Sequence, residues 1–272
     1  MTRDRKQHDM DPQSYRSGGI RVEHYPSRIV ESRLRKRPPI LCIHGGCHAS
    51  WCWAEHASVL ASAGYDVHVP NWMGRGGSDS ITDDVLAKLT FFDVVEDMMK
   101  VTERFTVPPI IIGHSMGSMV AQLYAMNAAV HALVLLTPVV PSNIGAKPLE
   151  LPVDFDSPWP PPPLEVAKQL FFQGLNEDEC QRAYALLVPE SSRRVYDATR
   201  WSVSLDPSKI GMPTLVVSGA LDLLTPPETG KALAHLYGAE YRLEPDHGHN
   251  VLLGSSARRI AADVVKWLEG RV

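Results

Sequence analysis

The pattern with the most chemical potential is Gly113-His114-Ser115-Met116-Gly117, because a serine hydroxyl flanked by glycines can be presented unobstructed to a carbonyl carbon. An apolar run, VPPIII, precedes it and the helix-compatible MVAQLYAMNAA follows, so Ser115 is expected on a tight strand-to-helix turn. At such a turn the helix dipole and the amide of Met116 face the negative oxygen that forms when a carbonyl is attacked. The chemistry suited to this arrangement is acyl transfer through Ser115. A hydroxyl is a poor nucleophile at neutral pH, so a base, and an acid to orient that base, must come from elsewhere in the chain. The segment EPDHGHN offers two imidazoles, His247 and His249, and SGALDLLTPP places Asp222 just past an apolar run. An aspartate before a proline-led helix also suits plain capping. A second glycine turn, CIHGG, ends another apolar run, and its small residues permit close backbone approach to a substrate oxygen.

Other chemistries find less support. A formal charge of -4 supplies no cationic field for a phosphate backbone, and Arg33 to Arg37 is the longest basic stretch, which argues against nucleic-acid binding. Cys42, Cys47, Cys52 and Cys180 are too few and too irregular for a disulfide scaffold in 272 residues. They also lack the tight pairs of a structural zinc site, so neither a metal nor a cofactor is expected. The polar amino terminus has no signal-peptide core, and no stretch has the apolar length of a membrane span. Residues 1–20 are therefore expected to be a mobile tail on a cytoplasmic protein, and homo-oligomerisation is left open.

The elements that must position Ser115 alternate along the chain. GIRVEHYPSRIVESRL suits a short hairpin, PPILCIHGG a buried strand, WCWAEHASVLASAGY a helix ending at Gly64, and YDVHVPN another strand. Phe92, Val95, Met99, Thr102 and Phe105 then mark one face of a helix before the strand VPPIIIGHS. VHALVLLTPVV follows the next helix as a further strand, and strands apolar throughout require a mostly parallel sheet covered by helices on both faces. From residue 141 to 207 the rhythm fails, beginning with a stiff passage that includes SPWPPPP and continuing with three short helical patterns. This segment reads as a helical cap inserted into a core formed by residues 21–140 and 208–272. The core resumes with PTLVVSGALD, the helix PPETGKALAHLYG, the strand AEYRLEP and an amphipathic helix around Ile260, Val264 and Leu268.

IGHSMG together with CIHGG resembles the α/β-hydrolase family from about residue 20 onward. HGGCHASWCW is also similar to the opening of the plant methylesterase and hydroxynitrile lyase branch. The resemblance implies the α/β-hydrolase fold and the order nucleophile, acid, histidine, which falls on Ser115, Asp222 and His249. Gly248 before His249 and Val251 to Leu253 after it match the family pattern better than the surroundings of His247 do. The resemblance assigns the second oxyanion-binding amide, beside that of Met116, to Gly46. NWMGRGGSDS resembles the family loop D-x-x-G-x-G-x-S, with Asn71 where an aspartate is usual.

The expected function is hydrolysis of a carboxylic ester, thioester or lactone through an acyl-enzyme, with a small and lipophilic acyl compound as substrate. Gly45 and His48 on the early turn, and Trp159, Leu170, Phe171 and Phe172 from the cap, are the candidate binding residues, although those aromatics equally suit a core of the cap's own. The fold supports other chemistries, so a lyase, a cofactor-free oxygenase or a non-catalytic ligand receptor are the rival readings. The lyase branch carries a threonine after the early histidine and a lysine after the later one; here those positions hold Gly45 and Asn250.

Overall fold

Along each central strand successive side chains alternate between two apolar layers, and this sets the architecture. The computed structural model describes residues 12–29 and 37–271. Among these residues β1 (Gln13–Ser17), β2 (Ile20–Tyr25), β3 (Ile40–Ile43), β4 (Val67–Pro70), β5 (Ile110–His114), β6 (Ala132–Leu136), β7 (Thr214–Gly219) and β8 (Glu240–Glu244) form one sheet of order β1-β2-β4-β3-β5-β6-β7-β8. Strands from β4 to β8 across that order run parallel, while β1 and β2 pair antiparallel at one edge. Leu41, Ile111, Leu133, Leu135 and Val216 face one core; Ile40, Ile110, Ile112, Val134 and Val217 face the other.

Helices cover both layers. α3 (Phe91–Thr102), α4 (Met116–Asn127) and α8 (Pro227–Tyr237) bury Val94, Leu123 and Leu233 in the first core. α1 (Ala54–Ser62) and α9 (Ala257–Glu269) bury Leu60, Ile260, Val264 and Leu268 in the second. α2 (Asp83–Lys88) lies between β4 and α3. Between β6 and β7 the inserted segment carries α5 (Leu164–Leu170), α6 (Glu177–Tyr184) and α7 (Ser192–Thr199), and it has a small core of its own around Ala167, Phe172, Cys180 and Ala183. No helix among the described residues is long and apolar enough to cross a membrane.

Three expectations are corrected here. The expected tail over residues 1–20 does not hold for residues 13–20, because Gln13–Ser17 pairs with Ile20–Tyr25 through a turn at Gly18 and Gly19, whose φ angles of 54° and 84° are those a two-residue hairpin demands; the rest of that expectation, over residues 1–11, lies outside the described residues. The hairpin expected downstream of Gly19 therefore forms upstream, and residues 30–36 are likewise outside the description. The buried face of α3 is Phe91, Val94, Val95, Met98 and Val101, while Phe92 is 56% exposed. Thr90 caps this helix. Its backbone N–H donates to Asp93 Oδ2 at 2.7 Å and its hydroxyl accepts from the Asp93 amide, which starts the helix at Phe91, and that ring packs into the first core. Phe91→Ala is thus expected to cost about 3–5 kcal/mol and Phe92→Ala less than about 0.5 kcal/mol in urea denaturation; comparable losses would refute this helix phase.

Candidate active site

Ser115 sits where β5 ends and α4 begins, at φ 53° and ψ -120°. A non-glycine residue in this region stores roughly 1–3 kcal/mol of strain, which the surroundings must impose. They do so by close approach. A Cβ on Gly113 would lie 2.4 Å from the Gly117 carbonyl oxygen, and one on Gly117 would lie 2.3 Å from the Ile43 carbonyl oxygen, so only glycine lets the turn close against β3. The Ser115 amide donates to the Leu136 carbonyl at 3.0 Å, and the Ser115 carbonyl accepts from the Ser118 hydroxyl at 2.5 Å. The side chain is left free to point over the carboxyl end of the sheet.

Two loops from distant parts of the chain meet it there. His249, after β8, accepts a hydrogen bond from Ser115 Oγ at Nε2 across 2.7 Å and donates from Nδ1 to Asp222 Oδ2 across 2.9 Å. Asp222, after β7, is held at every lone-pair direction that matters: Oδ1 accepts from the amides of Leu224 and Thr225 at 2.8 and 2.9 Å, and Oδ2 accepts from the Thr225 hydroxyl at 2.6 Å. The His249 carbonyl accepts from His114 Nε2 at 3.0 Å and from Thr137 Oγ1 at 2.8 Å. Thr137, Thr225 and His114 are thus supports of the site; for the two threonines no residue pattern in the sequence marks such a part. His247 is buried but lies outside the pocket wall.

A pocket opens beside Ser115. Gly46, His48 and Met116 line its core side, and Trp159, Leu170 and Phe171 its far side. Gly45 is packed directly behind, since a Cβ there would lie 2.9 Å from Ser115 Cβ. Phe172 is a correction: it is 1% exposed and belongs to the small core of the inserted segment, because adjacent residues at a helix end project in different directions and Phe171 takes the pocket side. Val139, Leu151, Val195, Trp201 and Leu224 complete the apolar wall without having been marked in the sequence. Among the described residues that wall contains no Asp, Glu, Lys or Arg.

The polar groups around the pocket are kept uncharged or tightly paired. Burial lowers His48 to about 4; its Nδ1–H donates to the Gly46 carbonyl at 2.7 Å and its Nε2 accepts from Asn250 Nδ2 at 2.9 Å. Burial likewise drives His114 well below the usual imidazole range, and pushes the Cys47 thiol well above the ordinary thiol range, so it stays protonated. Behind the pocket Glu190, fully buried, faces two guanidinium groups. Its burial opposes ionisation, but Arg194 and Arg75 outweigh that and hold its carboxyl well below the usual carboxylate range. Among the described residues no group of three or more His, Cys, Asp and Glu is arranged to hold a metal ion.

A model of the alpha/beta hydrolase family matches residues 40–263. Methylesterase 9 of Arabidopsis thaliana is 31% identical over 85 residues, a match that takes in 30% of this chain and 32% of that protein, about a third of its length. Among solved structures, the methylesterase MES16 from Arabidopsis superposes with a TM-score of 0.69 at 15% identity, over 86% of this chain and 100% of that one. A monoacylglycerol lipase from Paleococcus ferrophilus does so with a TM-score of 0.68 at 17% identity, over 96% and 100%.

The buried imidazoles give the fold a pH signature. Burial sets His44, His56 and His68 at about 3 and His48 at about 4, against 6.5 for the free side chain. As pH falls below 6.5 the unfolded chain takes up protons that the fold refuses, so stability declines progressively towards pH 3 and is regained on raising the pH. The urea midpoint is expected to be clearly lower at about pH 5 than at about pH 7.5, and an unchanged midpoint would show that these rings are not held neutral.

Proposed function

The chain belongs to the alpha/beta hydrolase family, and from that premise we propose that it is a serine hydrolase cleaving a carboxylic ester, thioester or lactone. The observation that carries this reading is the continuous hydrogen-bond line from Ser115 Oγ through His249 to Asp222. Ser115 Oγ attacks the acyl carbonyl as His249 Nε2 takes its proton, and the Asp222 carboxylate stabilises the imidazolium. The amides of Gly46 and Met116 receive the charge that develops on the carbonyl oxygen. Gly46 suits that part because its N–H donates to no protein acceptor among the described residues, and it packs directly against the Met116 side chain. As the tetrahedral adduct collapses, His249 returns the proton to the departing alcohol or thiol. A water, deprotonated by the same imidazole, then releases the acid and restores Ser115.

The pocket wall favours an uncharged, lipophilic substrate, since a carboxylate or phosphate would lose its hydration without meeting a cation. The inserted segment is the cap that closes over it, with Trp159, Leu170 and Phe171 as its contribution to binding. The similarity to a methylesterase and a monoacylglycerol lipase agrees with ester cleavage. The free thiols of Cys42, Cys47, Cys52 and Cys180 suit a reducing, cytoplasmic setting.

Purified protein is expected to hydrolyse p-nitrophenyl acetate and butyrate, with Ser115→Ala or His249→Ala lowering kcat/KM by about 10⁴-fold or more. An ester carrying a free carboxylate on its acyl chain turns over more slowly than its neutral counterpart. An organophosphonate adds one mass label, at Ser115. Labelling elsewhere, or binding of aromatic ligands without ester turnover, would instead favour a lyase, an oxygenase or a receptor.

A further inference from the structure

We infer that Glu190, a residue of the inserted segment, is a positioning residue for the oxyanion-binding turn of the core, with His48 as its counterpart on the opposite side of the same peptide. The inference rests on the acyl-transfer reading above. Gly45 and Gly46 give that turn little stiffness of its own, so its shape must be imposed from outside. Three contacts converge on the residues next to the Gly46 amide. The Gly46 carbonyl accepts from His48 Nδ1–H at 2.7 Å, the Cys47 amide donates to Glu190 Oε2 at 3.0 Å, and the Cys47 carbonyl accepts from the Val188 amide at 3.0 Å. The peptide between Gly46 and Cys47 is therefore gripped at both its oxygen and its nitrogen. Cys47 is held at φ 60°, a left-handed conformation that cysteine rarely adopts unaided.

The grip at the nitrogen is made by a charge. Glu190 Oε2 also accepts from Arg75 at 2.8 Å, whereas Oε1 accepts from Arg194 at 2.6 and 3.0 Å and from the Ser191 amide at 2.7 Å. An ionised acceptor in a buried setting binds an amide more firmly than a neutral one and fixes its direction. The two oxygens divide the work: Oε1 secures Glu190 within its own segment, and Oε2 reaches the core turn. With the Cys47 amide occupied by Glu190, the Gly46 amide one peptide earlier is the donor left for substrate.

The division of labour supplies the test. Glu190→Asp keeps the charge but withdraws the carboxylate by one methylene, and it is expected to lower kcat on p-nitrophenyl acetate about tenfold or more while KM stays within about twofold, because a displaced oxyanion donor weakens the transition state and not substrate binding. Arg194→Met cuts only the Oε1 side; it is expected to lower the melting temperature yet leave kcat within about twofold of the unmodified protein. Amide hydrogen exchange at Cys47 speeds up in the first variant and not in the second. A Glu190→Asp enzyme with unchanged kcat, or an Arg194→Met enzyme with an equal loss, overturns the inference. If Glu190→Asp does not fold, His48→Phe, which cuts the carbonyl side, must give the same kcat loss and the same faster exchange at Cys47. Absence of ester turnover and of Ser115 labelling in the unmodified protein would defeat the acyl-transfer reading itself, and slow exchange at Cys47 that persists in Glu190→Asp would defeat the clamp whatever the activity.

Discussion

The 2.7 Å contact between Ser115 Oγ and His249 Nε2 joins groups 134 residues apart, and much of the molecule can be understood as the means of holding it. Parallel strands deliver β5, β7 and β8 with their carboxyl ends on one edge of the sheet, which is where loops from separate parts of a chain can meet. The loops are then pressed together closely enough that a Cβ on Gly219 would lie 2.1 Å from the Gly248 carbonyl oxygen. Thr137 at the end of β6 and His114 at the end of β5 both donate to the His249 backbone, so the imidazole takes its place from the same strands that carry the serine. Steric strain at Ser115 and hydrogen bonds at His249 are two halves of one alignment.

Local patterning made part of this readable in the amino-acid order. An apolar run that stops at a glycine and changes to helical spacing marks Ser115, and the positions of Asp222 and His249 after later apolar runs follow from likeness to a family. The structure brings those three side chains together. What patterning failed to fix is rotation about an axis. The residues of α3 fit two apolar faces one position apart, and only packing against the rest of the first core shows that the face of Phe91, Val94 and Met98 is the buried one. Phe171 and Phe172 pose the same problem, since both are apolar and only one can face the pocket. Glu190 carried only the weak signal of an i,i+4 pairing with Arg194, which reads as an exposed ion pair; its other partner, Arg75, is 115 residues away, and Glu-Ser-Ser reads as surface until the fold encloses it.

Charge is handled differently on the two sides of the pocket. Beside the pocket, burial lowers His48 to about 4 and leaves it neutral at physiological pH, occupied at both nitrogens. Deeper in, one carboxylate stands between two guanidinium groups, both stacked towards the Trp72 ring at 5.5 and 5.0 Å. Burying such a cluster adds little net stability compared with apolar packing, but it tolerates few alternative arrangements, and that geometric intolerance suits a junction between two parts of a fold.

The ties from Val188 and Glu190 to Cys47 bear on how such a protein can diversify. An insertion between β6 and β7 looks modular, as though it could be exchanged among relatives to change what fits above the sheet while the machinery beneath stayed constant. Here Val188 and Glu190 of the insertion hydrogen-bond the Cys47 backbone at the edge of the pocket, so a transplanted substitute would have to bring its own acid at the equivalent of residue 190 and find an arginine at position 75 to keep those ties. Whatever replaces the segment above the sheet also replaces what braces the turn beneath it.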